Sequence, residues 1–279
     1  MRVLVTGAGG MLARAVREEF ARRGHDVVAL DRAALDVTDE AAVRRALHEH
    51  RPAAVLHCAA YTRVDDAEAE EALAFAVNAE AARHVARACR EVGARFVYPS
   101  TDYVFDGRAA TPYHPEAPTS PLNAYGRSKR AGEAAAAEAG DHLVVRTSWL
   151  FDGRGRNFVT TILERARRGE RLRVVEDQRG SPTWAGTLAW ILAGLLERRA
   201  PSGIYHAANR GETTWYGLAA EALRLVGVPA EVEPVTSAEF PRPAARPAYS
   251  VLDCSTTEAV VGPIPRWEDA LAGALRAPR

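Results

Sequence analysis

The stretch Thr6-Gly7-Ala8-Gly9-Gly10-Met11-Leu12-Ala13 decides the fold. It follows a short apolar strand at residues 2–5 and opens a helical pattern that runs to Arg23. Strand, glycine loop and helix in that order make a phosphate-binding βα unit, because the unbonded N–H groups at a helix start, together with the helix dipole, favour an anion. Gly7 and Gly10 permit the tight turn and let backbone N–H groups approach a pyrophosphate. Ala13, where a third glycine is usual, still lets helix and strand pack closely. A glycine cluster by itself is equally the mark of a plain turn, so the decision rests on what surrounds it.

Outward from that unit the chain alternates strand and helix. Residues 25–30 read as a second strand ending at Asp31-Arg32, where a carboxylate would meet the adenosine ribose hydroxyls and an arginine would hold a 2′-phosphate; the pair leaves NAD against NADP open. Asp36-Val37-Thr38-Asp39 starts the next helix with a capping residue, and Asp36 and Val37 could flank an adenine edge. Residues 53–57 form a third strand ending at Cys58-Ala59-Ala60-Tyr61. Small side chains there let backbone pass close to a dinucleotide, or pack tightly for no other reason.

Helical patterns at 68–77 and 79–92 lead to a strand at 95–98, which delivers Ser100-Thr101-Asp102-Tyr103-Val104-Phe105 to the usual ligand crevice. A helix at 125–138 and a strand at 143–146 complete an α/β, doubly wound parallel sheet. The proline-rich loop at 112–121 reads as a rigid approach to that helix. Past Trp149 the pattern loosens, with prolines concentrated between Pro229 and Pro247. The expected organisation is a dinucleotide-binding domain over 1–148, completed by about 180–206, with 149–279 mainly a smaller substrate-binding lobe.

Tyr125-Gly126-Arg127-Ser128-Lys129 holds the only lysine; the other 35 of the 36 basic side chains are arginine. Four residues apart on a helix, Tyr125 and Lys129 project from one face. A positive charge ~4 Å from a phenol is worth roughly 4 kcal/mol at an effective dielectric of ~20, enough to move the phenol's proton toward neutral pH. Lysine's compact ammonium also reaches a ribose hydroxyl better than a planar guanidinium does.

The chain has 279 residues, 47% hydrophobic and 26% charged, enough for a large core in one or two domains. A formal net charge of zero gives no field to attract nucleic acid or an anionic membrane, so small molecules are the expected partners. Cys58, Cys89 and Cys254 lack ligand-like spacing and the eight histidines form no paired metal motif, so no metal site is read. With reduced thiols, no apolar run of spanning length and a strand beginning at Arg2, the expected compartment is the cytoplasm.

Thr6-Gly7-x-x-Gly10, Ser100-Thr101 and Tyr125-x-x-x-Lys129 together resemble the extended short-chain dehydrogenase/reductases. The 4,6-dehydratases of that superfamily carry Asp-Glu after the threonine; Asp102-Tyr103 here lacks the glutamate, which argues against dehydration. The chain is similar from end to end to the dTDP-4-dehydrorhamnose reductase family, through Ser100 to Phe105, Arg146-Thr147-Ser148-Trp149, Gly155-x-Asn157-Phe158, Asp177-Gln178-x-Gly180-x-Pro182-Thr183, Thr213-Thr214-Trp215-Tyr216 and Arg246-Pro247.

That resemblance implies reduction of the C4 ketone of dTDP-4-dehydro-L-rhamnose by NADPH or NADH. Tyr125 would be the proton donor, Thr101 the partner of the developing oxyanion, and Lys129 the group that acidifies the phenol and holds the nicotinamide ribose. It carries the cofactor over to Gly7, Gly10, Met11, Leu12, Asp31, Arg32, Asp36, Val37, Ala59, Ala60, Tyr61 and Thr62. It carries the substrate over to Val64, Thr101, Asp102, Tyr103, Trp149, Asn157 and Arg246. Some family members use magnesium to join subunits, but no motif match assigns such ligands here, and a monomer or homodimer is expected. Two other readings stay open: a reductase of another dTDP-4-keto-sugar, and a non-catalytic NADP-binding subunit like the methionine adenosyltransferase β-subunit, against which the intact Thr101, Tyr125 and Lys129 argue.

Overall fold

The computed structural model describes residues 1–276. Along the chain run β1 (Arg2–Thr6), α1 (Met11–Arg22), β2 (Asp26–Leu30), α2 (Glu40–His50), β3 (Ala54–His57), α3 (Glu71–Phe75), α4 (Ala81–Val92), β4 (Arg95–Thr101), α5 (Ala124–Ala136) and β5 (His142–Thr147). There follow β6 (Leu150–Phe151), α6 (Phe158–Arg167), β7 (Leu172–Val175), β8 (Arg179–Gly180), β9 (Thr183–Trp184), α7 (Ala185–Glu197), β10 (Gly203–His206), β11 (Thr213–Thr214), α8 (Trp215–Val226), β12 (Val232–Val235), α9 (Ser255–Val261) and α10 (Trp267–Arg276).

Six strands form one parallel sheet in the order β10-β5-β4-β3-β1-β2. Both faces are covered, as an all-parallel sheet requires, and each strand divides its side chains between them with period two. Val3, Val5, Leu56, Val97, Leu143 and Val145 pack with α1, α7 and α9; Leu4, Val55, Phe96, Tyr98 and Val144 pack with α2, α4 and α5. The order reverses at β1, whose neighbours are β2 and β3, so the crevice for a ligand opens beyond the carboxyl ends of β1 and β3.

The second half of the chain is shared between two lobes. β6 pairs with β9, β7 with β12 and β8 with β11, around a core from α6, α8 and α10. α7 is apolar almost all round because it lies between the large sheet and α9, and β10 adds the sheet's sixth strand beside β5.

Two local readings change. The helical pattern at 68–77 is broken into a 3₁₀ turn (Asp66–Glu68), the short α3 and a π-helical turn (Ala76–Glu80) that runs into α4. The cause is tertiary: the Asn78 carbonyl accepts from the Tyr98 hydroxyl at 2.8 Å, and α5 presses on the same turn at Gly132, where a Cβ would come within 2.1 Å of that carbonyl. β4 continues past Tyr98 to Thr101, paired throughout with β5.

Candidate active site

The glycine loop forms one wall of a crevice of about 810 Å³, lined among others by Gly7, Gly10, Asp31, Arg32, Asp36, Val37, Ala59, Ala60, Tyr61 and Thr62. Gly7 has φ +66°, and a Cβ there would meet the Ala59 nitrogen at 2.6 Å, so glycine is required both by conformation and by the approach of β3. Gly10 is the N-cap of α1 and no side chain caps that helix, which leaves its first N–H groups to a ligand such as a pyrophosphate. Met11 and Leu12 turn their side chains into the core and can offer a ligand only backbone. Asp31 Oδ1 accepts from the Ala33 and Ala34 N–H groups at 3.0 Å, an Asx-type turn that fixes the rim, and Asp36 does the same for Thr38. The residues present fit a dinucleotide.

At the carboxyl end of β4, Thr101 caps the 3₁₀ turn Asp102–Val104: its Oγ1 accepts from the Tyr103 N–H at 3.1 Å and donates to Asp102 Oδ1 at 3.0 Å. Tyr125 comes down on this turn from the start of α5. Asn123 caps α5 by accepting from the Gly126 N–H at 2.7 Å, and a Cβ on Gly126 would lie 2.3 Å from the Tyr103 carbonyl, so only glycine admits the helix this close. The Tyr103 and Tyr125 rings meet edge to face at 5.9 Å.

Electrostatically the site differs from the expectation for an acidified phenol. Burial, reinforced by the Asp102 carboxylate, raises the Tyr125 phenol above its ordinary value, and only the Thr101 hydroxyl acts in the other direction. Lys129 is buried; its Nζ donates to the Pro99 carbonyl at 2.7 Å and sits 4.0 Å from the centroid of the Tyr98 ring. Burial lowers it to about 7, opposed by Glu133. Thus the ammonium is engaged under the site rather than with the phenol. Asp102, also buried, is raised by desolvation to about 7, with Ser250 and Thr101 pulling the other way, and its Oδ2 has no hydrogen-bond partner.

The remaining candidates fall into two groups. Arg246 contacts Tyr103, whose ring meets Tyr125, and is ion-paired with Asp65 on the loop after β3; Val64 is the residue before Asp65 in the chain. Trp149, with φ +48°, stacks on Trp215 at 3.8 Å and 7°, while a Cβ on Gly180 would strike its indole at 2.6 Å, so its ring is fixed between Trp215 and Gly180. Asn157 is not gathered with them. It caps α6 in a box with Thr160, and its side chain bonds only within residues 152–160.

Two supporting residues escape a motif reading. Asn78 Oδ1 accepts from the Tyr61 N–H at 2.8 Å, and its Nδ2 donates to the Tyr61 carbonyl at 3.0 Å and to Ser128 Oγ at 2.9 Å, locking the crevice loop to α5. Glu133 forms a two-pronged pair with Arg146 at 2.8 and 2.9 Å and accepts from Ser100 at 2.6 Å, all buried beneath Thr101. A lone asparagine inside an alanine-rich helical stretch, and a glutamate four residues after Lys129, were the only traces of them in the sequence. Among the described residues no group of three or more His, Cys, Asp or Glu is placed to hold a metal ion, no helix is long and apolar enough to cross a membrane, and all three cysteines are free thiols.

The family model described as the RmlD substrate binding domain matches residues 1–278. A Streptomyces griseus protein named dTDP-4-dehydrorhamnose reductase is 51% identical over 278 residues, 97% of this chain and 91% of its own length. A Streptomyces niveus protein named dTDP-4-keto-6-deoxy-D-glucose reductase is 43% identical, covering 98% of this chain and 96% of that one. The crystal structure of a Bacillus anthracis dTDP-4-dehydrorhamnose reductase in complex with NADP superposes with a TM-score of 0.95 at 38% identity, over 98% of each chain. Matched over nearly its whole length in sequence and in fold, the chain belongs to the RmlD substrate-binding-domain family.

Proposed function

We propose that the chain is an NADPH- or NADH-dependent reductase that converts the 4-keto group of dTDP-4-dehydro-L-rhamnose to the hydroxyl of dTDP-L-rhamnose, in nucleotide-sugar biosynthesis. The observation that carries this reading is the meeting of Thr101, Tyr125 and Asp102 at the carboxyl edge of the sheet, beside a glycine-loop crevice of about 810 Å³. The cofactor, when bound, supplies the hydride.

The chain's own residues do the rest. Gly7, Gly10 and the N–H groups of Met11 and Leu12 would hold the pyrophosphate, and Asp31, Arg32, Asp36 and Val37 would hold the adenosine end. Tyr125, protonated because its burial disfavours the phenolate, gives its proton to the ketone oxygen, and Thr101 hydrogen-bonds the developing alkoxide. Lys129 fixes the floor through Pro99 and Tyr98 and would be the group to hold a ribose hydroxyl of the bound cofactor. Val64, Asp102, Tyr103, Trp149 and Arg246 shape the sugar and diphosphate space. The enzyme would act in the cytoplasm as a monomer or homodimer.

The Streptomyces niveus relative supports a second substrate, another dTDP-4-keto-6-deoxy sugar, since the same acid and the same cofactor crevice serve either hydroxyl epimer. The test follows NADPH absorbance with purified protein and each dTDP-4-keto sugar, with NMR of the product. Tyr125→Phe is expected to lower kcat by about a hundredfold or more. Undiminished oxidation in that variant removes Tyr125 as the acid, and no oxidation by the parent chain leaves only a cofactor-binding subunit.

A further inference from the structure

The loop that leaves β3 is fixed to the larger lobe at two points. Asn78 holds the Tyr61 N–H and carbonyl, and Glu68 Oε1 accepts from the Ala124 N–H at 2.7 Å, in the first turn of α5. Between these anchors stands Asp65, whose carboxylate meets residues 242–246 from the second half of the chain. It pairs with Arg246 and, at 3.7 Å, with Arg242, and it accepts from the Ala244 N–H at 3.3 Å. The far end of that segment is fixed at Pro247, which packs so close to Gly107 that a Cβ there would lie 2.5 Å from the proline Cα. Asn123, the cap of α5, donates to the Ala245 carbonyl at 2.8 Å, and Arg246 contacts Tyr103, whose ring meets that of Tyr125. The segment therefore lies against the start of the helix that carries Tyr125, and its arginine is one of the groups that shape the diphosphate space.

The Arg246 and Asp65 side chains are only 16% and 24% exposed, so water screens their attraction less than it screens a surface pair. We propose that Asp65 is a latch: it occupies the Arg246 guanidinium while the site is empty, and the diphosphate of the nucleotide sugar binds by displacing it. Arg246 Nη1 donates both to Asp65 and to the Ala244 carbonyl, so an anion that takes the arginine must break the pair. The apparent affinity is reduced in proportion to the fraction of molecules in which Arg246 is free. Arg242, the second cation on Asp65, keeps the displaced carboxylate paired, so the exchange strands no charge. For the identity of the anion the latch rests on the reductase reading.

Titration calorimetry with dTDP, which carries the nucleotide and the diphosphate without the sugar, tests the latch apart from turnover. Asp65→Asn keeps the size of the side chain and an oxygen for the Ala244 N–H but removes the charge. It is expected to tighten dTDP binding about fivefold or more. Asp66→Asn removes the same charge one residue along, from an exposed carboxylate 3.3 Å from Arg63. That variant is expected to change Kd by less than about twofold. In an Arg246→Gln background dTDP binds more weakly, and adding Asp65→Asn no longer improves it. Unchanged or weaker binding by Asp65→Asn overturns the latch, as does an equal gain from Asp66→Asn or a gain that survives Arg246→Gln. NADPH oxidation with dTDP-4-dehydro-L-rhamnose is read on the same preparations. A parent that binds dTDP and shows the Asp65→Asn gain, but oxidises no NADPH with any 4-keto sugar, overturns the reductase reading and keeps the latch. A parent that does not bind dTDP overturns both.

Discussion

At the scale of single residues, burial decides the protonation states around Thr101 more than charge pairing does. Tyr125 is raised mainly by desolvation, Lys129 is lowered to about 7 by it, and Asp102 is raised to about 7 by it. For Asp102 the linkage has a definite sign. Between its ordinary 3.8 and about 7 the folded protein holds a proton that the unfolded chain has released, so the stability this group contributes is present at acid pH and lost as pH rises toward 7. Urea unfolding of the parent and of Asp102→Asn across that window is expected to show the difference between them drifting in the variant's favour by on the order of 4 kcal/mol. A pH-independent difference would mean that the carboxyl ionises in the folded state as it does in water.

At the scale of elements, α5 carries the site because glycines let it approach. Gly126 faces the Tyr103 carbonyl and Gly132 faces the Asn78 carbonyl, both closer than any side chain permits. Gly126→Ala is therefore expected to push the helix start off the Thr101 turn. It should cost about 1–3 kcal/mol of stability and lower kcat more than it raises KM, read by denaturant unfolding and steady-state kinetics on one preparation. Normal kcat with lost stability would show that α5 can shift without moving the Tyr125 phenol.

At the scale of the whole molecule, the segment from Arg242 to Val251 ties the lobes together. Asp65 holds Arg246, Arg242 and the Ala244 N–H; Asn123 Nδ2 donates to the Ala245 carbonyl at 2.8 Å; and Ala248 and Ser250 bond to Arg179 of the smaller lobe at 2.8 Å. Asp65→Ala removes three of these ties at once. Amide hydrogen exchange across residues 242–251 is expected to accelerate several-fold while the thermal midpoint stays within a few degrees. Unchanged exchange would assign the segment's order to Asn123 and Arg179 instead.

The sequence by itself determined the parallel sheet and the glycine turn, and singled out Thr101, Tyr125 and Lys129 as candidates, since each follows from spacing within one strand, turn or helix. Only the tertiary structure decided where the Lys129 ammonium points, that Asn78 and Glu133 brace the site, that Asn157 caps a helix, and that Asp102 stands without a counter-charge. Those outcomes depend on which distant backbone, Pro99, Tyr98 or Tyr61, comes within about 3 Å, and on how much water is excluded there. Local pattern carries neither quantity.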